Sequence, residues 1–405
     1  MVSLSWLDSS IVVCYLCGIF CIGMYAWWDN RSTKRSSSPS SSPAPSKNQQ
    51  AESYFLASRN VLWLSVGATL FSSNIGAEHF IGLAGTAAST GIAVGAFEWT
   101  AAYMLYIMAY WLTDLYILSG IVTTPEYLEL RFNRAVRIYN AIMTLFIYVF
   151  VVISTTLYAG SVILETVLGW NIWTSSLALI IATGIYVVLG GLKAVVWTEN
   201  IQTCILLIGG TIVMVFSLYK VGGLAALRSF YDHDSSVDEQ HRDNMHMFRS
   251  WKDADWPWPG IVFGIFCNSY YYWNGQHLIV QRVLAAKSPL HARLGCILTT
   301  LLKILPVFIM VIPGMCALQL FPEQFANQTS QEYDRAYPLL VINILPIGLV
   351  GIVIASMLSA LMSSLAAVYN SASTIIVNDL YKLWYPHISD QRSVMVGRVG
   401  ACIFV

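Results

Sequence analysis

The chain has 405 residues, 56% of them hydrophobic and only 11% charged, with 22 basic side chains against 22 acidic ones. A soluble domain is about a quarter charged, so this balance argues against a cytosolic enzyme. A formal net charge of zero supplies neither a basic field for nucleic acid nor an acidic tail. The composition is that of an all-α polytopic membrane protein, and the aromatic content suits membrane interfaces and stacked binding sites alike.

Apolar runs long enough to cross about 30 Å of hydrocarbon fall near 10–28, 56–84, 91–118, 137–168, 173–191, 197–219, 258–281, 293–320 and 346–380, which predicts nine membrane-spanning helices. The first lacks a basic leader and carries Asp8, so it reads as a retained helix over 1–28 rather than a cleaved signal peptide. Cys14, Cys17 and Cys21 recur along it at helical spacing, as small residues facing lipid or core. All eight cysteines lie in apolar runs, so no disulfide framework is expected. Residues 29–51 contain SSSPSSSPAPS, a tract that cannot form a core and reads as a flexible cytoplasmic linker.

Two spans are interrupted by polar residues. The second run carries Ser72, Ser73, Asn74 and Gly76 in its middle, and the seventh carries Asn268, Ser269, Asn274, Gly275 and Gln276. Pairs of broken spans at corresponding places in two halves mark the midplane site of secondary transporters. Unwound carbonyls there can ligate a cation and hold a polar solute. The ninth run adds Ser359, Ser363 and Ser364. Such hydroxyls are hard oxygen donors suited to Na⁺, while small residues at those places also permit close helix packing.

The polar stretches between spans set orientation. Residues 220–257 form an acidic loop in which His233, His241 and His246 read as solvated rather than metal-binding. Residues 321–345 form a second loop with the sequon Asn327-Gln328-Thr329, so Asn327 is a glycosylation candidate. Arg31, Lys34, Arg35, Arg131, Arg134, Arg137, Lys193, Arg282, Lys287 and Lys382 all fall on the opposite side, which becomes cytoplasmic and places the N-terminus outside. A tenth run begins near Ser393 and reaches Val405, roughly 20 Å of helix, so the chain is expected to end within a span.

Ionisable groups inside a bilayer are costly and are functional candidates by default. Here they are Glu78, His79, Glu98, Asp114, Glu165, Lys303, His277 and Asp379. Asp114, Glu165 and Asp379 lie near helix ends and read as water-facing. Glu98 and Lys303 lie within spans and read either as an interhelical ion pair or as polyol ligands. A carboxylate, an ammonium, amides and aromatic faces together suit the hydroxyl edges and C–H faces of a sugar. No P-loop, HExxH, GxSxG or GxGxxG motif is present, so no enzyme is expected.

At these residues the sequence resembles the sodium/solute symporter family, in its sodium/glucose cotransporter branch. The matching stretches are ESYFLASRNVLWLSVGATLFSSNIGAEHFIGLAGTAASTGIAVGAFEW, VTTPEYLELRF, GLKAVVWTENIQT, PWPGIVFGIF, YYWNGQHLIVQRVLAAKS and SALMSSLAAVYNSAS, together with a family signature from Gly169 through Ala194. The resemblance implies a LeuT-like fold: one extra N-terminal helix, a first repeat of five helices within 52–219, and an inverted second repeat from 258, truncated at 405. It implies secondary active transport in which Na⁺ draws a monosaccharide such as glucose or galactose across the plasma membrane.

Carried over, the sodium site would use the carbonyls of Ser72, Ile75 and Ala360 with the hydroxyls of Ser363 and Ser364. The sugar site would use Asn74, His79, Glu98 and Lys303, with Tyr272 and Trp273 closing it toward the cytoplasm. Thr156 stands where animal members carry Asp, so a second sodium site of their kind is not expected. The family's pattern also calls for a further core helix beyond Val405. Two other readings stay open: a sugar-gated sodium conductance of the same fold, and a symporter for another solute such as inositol. No nucleic acid and no obligate protein partner is expected, only sodium, sugar and the bilayer.

Overall fold

The computed structural model describes residues 5–36, 49–76, 78–233, 243–325 and 329–404. Among these the chain is helical, with no strand beyond two isolated bridges, Val61–Ala286 and Arg249–Pro257. Part of the Ser/Pro tract, the loop histidine His241 and the sequon's Asn327 lie outside the described residues.

The first helix runs Trp6–Ser36, about 46 Å long. It therefore continues past the expected boundary at 28, and residues 29–36 are helix rather than linker. Its buried Asp8 accepts hydrogen bonds from the backbone of Gly348 (2.8 Å) and Gly351 (2.7 Å). Those amides open helix Leu349–Ile375, whose own N-cap residue, Gly348, supplies no side chain. The first helix thus caps, from outside, the most buried of the long apolar stretches among the described residues.

Among the described residues six stretches are long and apolar enough to span: Trp6–Tyr25, His79–Leu118, Arg134–Leu168, Gly190–Val221, Pro289–Leu320 and Leu349–Trp384. Of the expected spans outside this group, the fifth is the shorter apolar helix Ile172–Val188, and the second and seventh are broken into pieces too short to cross alone. Helix Trp63–Asn74 stops at Ile75, which turns extended (φ −79°, ψ 101°), and the chain resumes as a wide turn over His79–Leu83 followed by helix Ala84–Thr90. In the same way Phe266–Asn274 is separated from His277–Leu284 by Gly275 and Gln276. The second run therefore extends to Thr90, past its expected end at 84.

Two glycines turn the chain where no side chain could. Gly91 (φ 77°, ψ −155°) ends the half-helix. On one straight helix His79 and Glu98 would stand roughly 28 Å apart, yet their side chains are 3.3 Å apart, so the chain doubles back there. Gly191 (φ 62°, ψ −160°) divides the 50-residue stretch Ile172–Val221 into the two expected spans. A Cβ at Gly191 would lie 2.6 Å from the Tyr54 ring.

The core is built on Ile172–Val221 packed along Leu349–Ile375. Small residues permit this closeness: Gly209 sits where a Cβ would be 2.2 Å from Ser356 Oγ. The connection over 321–345, read from sequence as a loop, contains helix Ala336–Ile344, which buries Tyr337 and Leu340. Tyr337 stacks edgewise on Phe80 at 5.0 Å and donates to the Ile309 carbonyl at 3.3 Å. The earlier loop is also folded from 243 onward, with Asn244 and Arg249 buried. Burial pulls the Arg249 guanidinium below its ordinary pKa, with Asp253 opposing.

Candidate functional site

The break after Asn74 arises locally. Ser72, Ser73 and Asn74 offer side chains that compete with helical hydrogen bonds, and a helix C-terminus leaves its last carbonyls without amide partners. The Ile75 amide still closes the final turn on Phe71 (3.0 Å). The Gly76 amide instead donates to His79 Nδ1 (3.2 Å). The Ser72 carbonyl is met by Ser363 Oγ at 2.8 Å, and the same hydroxyl lies 2.9 Å from the Ala360 carbonyl. Ser364 Oγ and Ser72 Oγ are buried with no hydrogen-bond partner, and Ile75 is fully buried beside them in sequence. The Ser72 carbonyl at the negative end of its helix, the Ala360 carbonyl and neutral hydroxyls of which two are unsatisfied form a hard-oxygen environment that fits a sodium ion.

A cavity of about 300 Å³ lies on the other side of the break, and Asn74, His79, Glu98, Tyr272, Trp273 and Lys303 all line it. Lys303 follows helix Pro289–Leu302 and pairs with Glu98 of Ala96–Ile107 at 2.6 Å, both side chains nearly sealed from solvent. Glu98 Oε1 also lies 3.3 Å from His79 Nε2. Because Nδ1 of His79 accepts from Gly76, a neutral ring carries its proton on Nε2 and presents it to Glu98. Asn74 Nδ2 donates to Tyr272 Oη at 3.0 Å, leaving Asn74 Oδ1 buried and unpaired. Tyr272 meets Trp273 edgewise at 5.4 Å, and the Lys303 ammonium lies 5.3 Å above the Trp273 ring. Tyr116 Oη fixes the end of the tyrosine-bearing helix by donating to the Asn274 carbonyl at 2.7 Å.

Glu98 and Lys303 join two helices as an ion pair and also line the cavity. The cavity further includes Glu78, Thr86, Phe97, Asn268 and Ser269. Asn268 and Ser269 were visible as polar interruptions of the seventh run, but Phe97 is an apolar residue in an apolar run and carried no signal.

Some of the other ionisable residues depart from expectation, and some do not. Asp379 is fully buried rather than water-facing, bonded to Thr123 Oγ1 and to Arg137 Nε, each at 2.8 Å. Arg282, counted among the loop charges that set orientation, is buried and pairs with Glu199 at 3.1 Å. Sequence reasoning passed over Glu199 because it stands at the edge of its run. His277 is buried with neither ring nitrogen bonded. Asp114 pairs with Arg293 at a half-exposed position, and Glu165 is exposed. Thr156 is buried and donates to the Val152 carbonyl at 2.8 Å. Among the described residues the cysteines are free and no cluster of metal-ligating side chains is present.

Comparison with known proteins gives a consistent result. The model of the sodium:solute symporter family matches residues 54–405. The chain is 38% identical to sodium/myo-inositol cotransporter 2 of Oryctolagus cuniculus, over 98% of this chain and 60% of that protein. It is 37% identical to sodium/glucose cotransporter 2 of Rattus norvegicus, over 87% of this chain and 57% of that protein. Sodium/glucose cotransporter 1 of Oryctolagus cuniculus is 35% identical over 97% of this chain and 61% of its own length. The chain therefore spans about 60% of the length of the curated relatives it matches. Among solved structures, a Na⁺-coupled sialic acid symporter in a substrate-bound outward-open state superposes with a TM-score of 0.85 at 19% identity, over 99% of this chain and 80% of that one.

Proposed function

The chain belongs to the sodium:solute symporter family, and on that footing we propose that it carries out Na⁺-coupled symport of a monosaccharide or a polyol of similar size. The observation that carries this reading is the juxtaposition at one helix break. At the break the Ser72 carbonyl meets Ser363 Oγ, and the hydroxyls of Ser72 and Ser364 are buried without partners, while a cavity lined by carboxylate, ammonium, amide and aromatic groups opens at Asn74 and His79. Na⁺ would be held by the carbonyls of Ser72, Ile75 and Ala360 with the hydroxyls of Ser363 and Ser364. The solute would be held by Asn74, His79, Glu98 and Lys303 above a floor of Tyr272 and Trp273. Both sites share the segment Ser72–His79, so filling one organises the backbone of the other, which is the physical basis for coupling. A volume of about 300 Å³, at the small end of ligand pockets (~300–1,000 Å³), suits a single ring rather than a disaccharide.

The reading extends to a plasma-membrane location with the N-terminus outside, two inverted repeats over 52–219 and from 258, and glycosylation at Asn327. Inositol is the second reading, because relatives named for it match at 36% to 38% identity, a range that overlaps the 34% to 37% of those named for glucose. The test is uptake of labelled α-methylglucoside and myo-inositol by proteoliposomes with and without an inward sodium gradient. Gradient-dependent accumulation of either supports symport and names the solute. Sodium current without accumulation replaces symport by a sugar-gated conductance.

A further inference from the structure

The segment 243–258 is fastened to the end of half-helix Ala84–Thr90 by several bonds. Arg249 donates to the Thr90 carbonyl and to Asn244 Oδ1, and Asn244 donates to the Ser89 carbonyl at 3.4 Å. Asp253 Oδ1 accepts from the amides of Asp255 and Trp256, at 3.0 and 2.7 Å, which fixes the backbone at Trp256. The indole then reaches two elements at once. Its Nε1–H donates to Thr90 Oγ1 at 2.8 Å, and that hydroxyl donates in turn to the Thr86 carbonyl at 2.9 Å. Its ring meets Phe97 edgewise, with centroids 5.9 Å apart at 84°. Thr86 and Phe97 both line the cavity, and they stand on opposite sides of the Gly91 turn. Trp256 itself does not line the cavity.

We propose that Trp256 is a positioning residue that sets the separation of the two cavity walls at Thr86 and Phe97, and thereby the size of solute the cavity accepts. The proposal rests on the reading of this cavity as the solute site. A rigid bicyclic side chain held at both ends fixes a distance that a flexible one would leave free. Polar groups deep in the cavity select hydroxyl pattern; the Trp256 brace selects bulk.

The test compares α-methylglucoside with phenyl β-glucoside, which adds a ring, in the full chain. Trp256→Ala should raise the KM for the methyl glucoside at least fivefold and lower the KM for the phenyl glucoside. Half-saturating sodium and the maximal rate per surface transporter should stay within twofold. Trp256→Phe keeps the ring edge and loses the N–H, and Thr90→Val removes the acceptor. Each should produce a smaller shift of the same kind, and the double variant should go no further than Thr90→Val alone, because the bond lost in Trp256→Phe is already absent there. A loss of surface protein with the KM ratio unchanged would overturn the proposal and leave Trp256 a purely structural residue.

A second measurement does not depend on what the cavity carries. In detergent-purified protein, the Thr86→Cys variant should react faster with a bulky thiol reagent when combined with Trp256→Ala than without it, measured against the native cysteines alone. Equal rates would overturn the brace even if wild-type uptake is robust. Faster labelling with no wild-type uptake would uphold the brace and discard the solute reading.

Discussion

Ser363 and Ser364 are adjacent and both buried, yet their situations differ enough to separate ion binding from packing. Ser363 Oγ is 2.8 Å from the Ser72 carbonyl and 2.9 Å from that of Ala360, so its hydroxyl joins two helices. Ser364 Oγ has no partner. An unsatisfied buried hydroxyl costs about 1–3 kcal/mol, so Ser364→Ala should leave thermal stability in detergent unchanged or higher. If that hydroxyl is a ligand for Na⁺, the same change should weaken ion binding by about 1.5–3 kcal/mol, the usual value of a hydrogen-bonding group facing a charge. That corresponds to a rise in half-saturating sodium of roughly tenfold to a hundredfold. Ser363→Ala should raise half-saturating sodium too, but with a clear loss of stability, because the Ser72 carbonyl loses its partner. Thermal unfolding in detergent paired with sodium titration of α-methylglucoside uptake reads both quantities. A Ser364→Ala protein that is destabilised as much as Ser363→Ala, with normal sodium dependence, refutes the assignment.

Glu98→Gln and Lys303→Met should each raise the sugar KM by about tenfold to a hundredfold while sodium binding stays measurable, from the loss of one charge-assisted bond of about 1.5–3 kcal/mol. Surface protein is to be measured alongside, and normal sugar affinity in a well-expressed double variant would move the site elsewhere. Asp8→Ala should lower stability by about 1–2 kcal/mol, the value of an N-cap, visible as a lower unfolding temperature. Asp8→Asn, which keeps an acceptor oxygen, should lose less. Asn327→Gln should remove a glycosidase-sensitive mobility shift on gels, and no shift in the wild-type protein would count against an outside placement of that loop.

The two helix breaks were legible because hydroxyl, amide and glycine residues stand out against apolar runs of spanning length. Glu98 and Lys303 were legible for the same reason, as charges where hydrocarbon was expected. The Glu199–Arg282 pair was not: both residues sit where a run meets a polar stretch, and only the fold decides that this boundary is buried. The end of the second run was set short because Ala84–Thr90 reads AGTAAST, whose low hydropathy resembles a loop although it is packed as helix. Helix Ala336–Ile344 was hidden by its brevity and by Pro338. Ser363 and Ser364 stood out as hydroxyls within the ninth run, but the carbonyls of Ile75 and Ala360 came from resemblance alone. Periodicity cannot say which of several serines is left without a partner, since that depends on a helix far along the chain.

The broken helices also bear on how the chain enters a bilayer. A 12-residue helix such as Trp63–Asn74 covers about 18 Å, and the extended residues that follow bring polar backbone with them. Lipid penalises each unsatisfied backbone group by several kcal/mol, so this segment has no stable resting place in hydrocarbon alone. The partner for the Ser72 carbonyl is Ser363, synthesised 291 residues later. Insertion therefore cannot be completed one apolar run at a time in order of synthesis. The early broken segment must be sheltered, by water or by protein, until Leu349–Ile375 emerges. Substitutions in that late helix should consequently surface as biogenesis defects of the early one: protease-sensitive, chaperone-retained chains in which the N-terminal half has been made correctly but has not yet been seated.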